Sequence, residues 1–130
     1  VIRAHRAAVE AAIESGGVTA YAPSEVPADT ALPYAVVHLD LGSRSEYRNS
    51  SESSNLRFRA HVMFFGANVD QAEAAAERID TALADVPLAV AGRDLTPCRN
   101  ESSRNVALDD TDDPHLYGGS STWTFASTPA

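Results

Sequence analysis

A chain of 130 residues with 44% apolar side chains can close one core, and its length argues against a second domain. Eighteen acids against ten basic residues give a net charge of −8, and a surface of that sign repels phosphate, which disfavours nucleic-acid binding through a basic footprint. No apolar run reaches the roughly 18 residues of a membrane span, so a soluble protein without membrane contact is expected.

From Ile2 to Ser15, apolar side chains at Ile2, Ala8, Val9, Ala12 and Ile13 share one side of a 3.6-residue repeat, and Gly16 supplies a stop. The spacing predicts an amphipathic helix. It lacks the short continuous apolar core and small-residue cleavage site of a signal peptide, which points to an intracellular origin. Residues 17–33 carry Pro23, Pro27 and Pro33 and read as an extended connector with a short strand near Val18 to Ala22.

"YAVVHLDL", residues 34–41, alternates Ala35, Val37, Leu39 and Leu41 against Tyr34, Val36, His38 and Asp40, the pattern of a strand with one apolar face. Residues 42–55 then hold six serines and too little apolar surface to offset ordering entropy, so a flexible hairpin loop is expected there. Beyond it Leu56, Phe58, Ala60, Val62 and Phe64 alternate with Arg57, Arg59, His61, Met63 and Phe65, a long strand with arginines on one face.

Asn68 is placed to cap a second helix, with Gln71 reaching back and Asp70 at the positive end of the dipole. Its stripe is Ala72, Ala75, Ala76, Ile79, Leu83 and Val86, running to about Asp85 before Pro87 ends it. Three extended segments follow, at 88–91, at 95–103 or beyond, and at 120–127, with "LDDTDDPH" as an acidic loop. The order predicts a single α+β domain, a mostly antiparallel β-sheet with two helices packed on one face.

Sites of chemistry are weakly indicated. His5, His38, His61, His115 and Cys98 show no metal-ligand spacing, and no cofactor is expected. The lone Cys98 excludes an internal disulfide and is expected to be buried or half-buried. Asp109, Asp110, Asp112 and Asp113 lack the glycine and closing glutamate of a calcium loop and read as solvated acids. The serines lie without a nucleophile elbow, "YGGSS" before the last strand reads as a turn, and Asn49 and Asn100 match the glycosylation pattern by chance. No acid–base pair or ligand set marks an enzyme.

Arg57, Arg59 and His61 on one face admit two readings: a solvated face with cross-strand partners such as Asp40, or a subunit interface in which a neighbouring copy supplies acids from the surplus.

Several stretches carry a resemblance: "LPYAVVHLD" after a proline-bearing connector, the polar run into "RFRAHVMFFG", the helix "DQAEAAAERIDTALAD", and the closing "HLYGGSSTWTF". Their order resembles the tail terminator (tail-completion) proteins of long-tailed bacteriophages. The resemblance implies a structural virion protein forming a hexameric ring at the head-proximal end of the tail tube. There it ends tube polymerisation and joins the head connector, after assembly in the host cytoplasm.

In that setting the loop at 42–55 is expected to order against the tube or connector, with Arg44, Tyr47 and Arg48 as contacts. Acids Asp109, Asp110, Asp112 and Asp113 are candidates for a lumen that repels passing DNA. The alternatives are a head-tail joining or neck protein and, from another class, a small α+β ligand-binding module with its pocket between sheet and helices.

Overall fold

The computed structural model describes residues 2–27, 30–41, 55–109 and 116–130. Helix α1 (Ile2–Ser15) is followed by β1 (Thr19–Tyr21), β2 (Tyr34–Leu41), β3 (Leu56–Gly66), helix α2 (Val69–Leu83), β4 (Arg93–Leu95), β5 (Arg99–Asp109) and β6 (Leu116–Pro129). The fold is α+β, as its alternating periods of 3.6 and 2 dictate.

The six strands make one sheet in the order β1-β2-β3-β6, with β5 and β4 sharing the far edge of β6. Every pairing is antiparallel except β1 with β2. Both helices lie on one face: α1 packs on β1 and β2, α2 on β3, β5 and β6, and the helices touch each other. Between the layers Val9 and Ile13 of α1 and Ala75, Ile79 and Leu83 of α2 meet Val37, Phe58, Val62, Trp123 and Phe125 of the sheet. That apolar burial is the main stabilising term of the fold.

The stripe of α1 differs from its expected composition. Ile2 is exposed, and His5 joins Val9 and Ile13 on the buried side. The imidazole stacks on Phe58 with ring centroids 4.4 Å apart, and its Nε2 lies 2.9 Å from the Ser127 Oγ. A flat ring with one satisfied polar atom serves as a core residue here. Trp123 is likewise satisfied, its indole N–H donating to the Ser121 Oγ at 2.9 Å.

Helix α2 begins as its sequence foretells. The Asn68 Oδ1 accepts from the Gln71 N–H at 2.8 Å, and the Gln71 carboxamide reaches back to accept from the Ala67 N–H at 2.7 Å. It ends earlier than its apolar stripe, at Leu83, where the cap residue Ala84 turns to an extended ψ of 119° and Asp85 follows with a left-handed φ of 58°. Val86 therefore lies outside the helix, where its carbonyl accepts from the Cys98 N–H at 3.1 Å.

Residues 88–91 are not a strand. The segment after α2 folds back on itself through a single bridge of Pro87 with Pro97, and two prolines cannot propagate a ladder for want of N–H donors. The strand in this region is β4, and β5 starts at Arg99 rather than Leu95.

"YGGSS" is a strand segment, not a turn: Gly118 and Gly119 stand in register with Phe65 and Phe64, whose rings occupy opposite faces. A Cβ on Gly118 would sit 2.9 Å from the Phe65 ring, and one on Gly119 would sit 2.8 Å from the Phe64 ring. Glycine here makes room for aromatic side chains from β3.

The expected loop at 42–55, with Arg44, Tyr47 and Arg48, lies outside the described residues apart from Asn55. So do Asp110, Asp112 and Asp113, while Asp109 closes β5 opposite Leu116.

Candidate functional site

With both helices on one side, the other face of the sheet has no described element packed over it. Its composition follows from the alternation of β2, β3 and β6, and it changes from one end to the other.

The apolar end is the row Tyr34–Phe65–Gly118, where the Tyr34 and Phe65 rings lie 5.1 Å apart and Tyr21 of β1 meets Tyr34 edge-on at 6.1 Å. The next row is Val36–Met63–Ser120, in which Met63 is 36% exposed. The middle row is His38–His61–Thr122, with the His61 Nδ1 3.2 Å from the Thr122 Oγ1.

The polar end begins with the row Asp40–Arg59–Thr124–Arg99, and beyond it Arg57 stands opposite Ala126. Asp40 is not the partner of Arg59 in spite of its register. The Arg59 Nε donates to the Glu101 carboxylate at 3.1 Å, whereas the Asp40 carboxylate lies 3.9 Å from the His61 Nε2.

Glu101 follows Arg99 by two residues on the same side of β5, and it is the extra residue of a bulge where the register slips between Asn100 and Ser102. Both contacts are too exposed to contribute more than about 1 kcal/mol each to stability.

Arg57, Arg59 and Arg99 with Glu101, Thr96 and Thr124 line a hollow of about 670 Å³. Among the described residues, Arg57 and Arg99 make no side-chain hydrogen bond or ion pair. Two guanidinium groups at hydrogen-bonding strength therefore face outward, a geometry suited to carboxylates or other planar or tetrahedral anions.

A second hollow, of about 580 Å³, lies between α2 and β5 on the helix side, and Glu73, Glu77 and Asp80 of α2 line it with Arg104, Ser103 and Trp123. The structure thus brings Arg57, Arg59 and His61 to one face. It adds Arg99 and Glu101, which the sequence hid because alternation within β5 does not reveal that β5 pairs with β6 beside β3.

A family model described as tail completion protein gp17 matches residues 2–122, nearly the whole chain. The chain belongs to that family. Membership makes it a phage tail completion protein, a structural component of the assembling virion tail that works with other tail components. No curated protein matches the chain. Among the described residues no helix is long and apolar enough to cross a membrane.

Proposed function

We propose that the protein forms a ring, a hexamer as in the tail terminators it resembles, at the head-proximal end of the tail tube, ends tube polymerisation and joins the tail to the head connector. The observation that carries this reading is the open sheet face within a tail completion fold, apolar at Tyr34–Phe65 and cationic at Arg57, Arg59 and Arg99. A face of that composition completes its burial against another protein. His61, in the middle of it, belongs to the same contact.

The role is architectural, without a reaction. The segment 42–55, with Arg44, Tyr47 and Arg48, contacts the tube, and Asp109, Asp110, Asp112 and Asp113 face the lumen through which DNA passes.

The test adds the purified protein to polymerising tail-tube protein. Tubes that stop growing and carry the protein at one end support the assignment, and deletion of residues 50–54 should then leave the fold intact and abolish the capping. Tubes that lengthen unchanged at saturating protein would overturn it.

A further inference from the structure

The two hollows carry opposite charge and lie on opposite faces of the sheet. The hollow on the open face is lined by Arg57, Arg59 and Arg99 with the one acid Glu101, and the hollow between α2 and β5 by Glu73, Glu77 and Asp80 with the one base Arg104. Among the described residues none of those three α2 acids has an ion-pair partner, and neither has Arg57 or Arg99. A single protomer cannot bring the two sets together, because the sheet stands between them.

Their dimensions match. Glu73, Glu77 and Asp80 fall at i, i+4 and i+7, so they share one side of the helix and span about 10 Å at its rise per residue. Arg59 and Arg99 are both in register with Thr124, one on either side of β6, and so stand about 10 Å apart at two strand spacings. Arg78, the one base within α2, lines a different hollow with Ser15 and Gly16 at the end of α1.

We propose that the arginine hollow of one copy receives the Glu73–Glu77–Asp80 row of the next copy. The inference rests on the ring reading above and specifies which two surfaces meet. A contact between two different patches of the same protomer is heterologous, and a heterologous contact closes into a ring when its rotation permits. Carboxylates on the next copy fit the hollow better than DNA phosphates do. Glu101 stands inside it, and the net charge of −8 opposes any polyanion that does not bring its own complementary surface.

Charge exchange tests the pairing. Two variants, Arg57→Glu with Arg99→Glu and Glu73→Arg with Glu77→Arg, are compared with the wild-type protein by native mass spectrometry, with and without tail-tube protein. Circular dichroism checks that each is folded. The neutral versions Arg57→Gln with Arg99→Gln and Glu73→Gln with Glu77→Gln stand in if a reversal misfolds.

Each reversed variant alone should lose the oligomer. An equimolar mixture of the two should regain it, because each then offers the charge that the other needs; for the neutral versions the expected result is a weakened oligomer in both.

Variants that assemble as the wild type does, or a mixture of folded reversals that stays monomeric, would overturn this contact and leave the ring intact. A wild-type protein that is monomeric with and without tube protein would overturn the ring reading itself. If the arginine variant assembles normally but loses salt-dependent retention on duplex DNA, the hollow is a phosphate site and the proposal falls.

Discussion

His5 and Ser127, 122 positions apart, meet inside the protein with the His5 Nε2 2.9 Å from the Ser127 Oγ. The same hydroxyl oxygen accepts from the Arg93 Nε at 2.8 Å, so α1, β4 and β6 converge on one buried side chain. Ser127→Ala removes that oxygen and leaves polar nitrogens facing a methyl group. The expected cost is about 1–3 kcal/mol, read as a lower urea midpoint with an unchanged m-value.

The paired glycines of β6 should respond unequally to the same change. Gly119→Ala places its methyl 2.8 Å from the ring of Phe64, which is buried, and 2.9 Å from the backbone carbonyl of Arg104, which cannot easily move. Gly118→Ala meets the ring of Phe65, which lies on the open face and can swing away. Overpacking at Gly119 should cost about 1–3 kcal/mol, and Gly118→Ala should cost less, a ranking that thermal denaturation of the two variants checks.

Burial pushes the Cys98 thiol up from 9.0 to about 11. Below pH 9 the thiol is neutral both folded and unfolded and adds no pH dependence. Between pH 9 and about 11 the unfolded chain loses the proton that the folded protein keeps, so stability falls as pH rises through that window. Cys98→Ala should show a shallower decline over the same range, and the native thiol should label slowly at pH 8 but rapidly in urea. Equal slopes for variant and wild type would contradict this account.

Arg59→Ala should leave the stability of the isolated protein within about 0.5 kcal/mol, because its partner Glu101 is as exposed as it is. A denaturation curve superimposable on the wild type would separate any assembly defect of the arginine face from a folding defect. A loss of several kcal/mol would mean that the face is part of the fold's own support.

The alternation of Leu56 to Phe65 and the cap at Asn68 were legible because each depends on neighbours within a few residues, and both are found as read. The two faces of the sheet follow from the same local rule. What escaped the sequence depends on partners far along the chain. Gly118 and Gly119 look like a turn until Phe64 and Phe65 arrive beside them. His5 looks polar until Phe58 and Ser127 enclose it, and Glu101 meets Arg59 only because β3 and β5 flank the same strand β6. Proline is informative in one direction: Pro87 reads as the end of the helix but not, with Pro97, as the place where a ladder fails, so an extended segment at 88–91 is expected from the sequence.

Strand β6 pairs with β3 along one side and with β5 and β4 along the other. Three strands thus have no hydrogen-bonded route to one another except through it. The long strands β3 and β5 are both joined to β6, so β3, β5 and β6 behave as one cooperative unit, and local opening is confined to the short edge strands β1 and β4. The protein's slowest-exchanging amides therefore belong around Trp123. A surface that must hold its shape while other proteins assemble on it is backed by the part of the molecule least able to breathe.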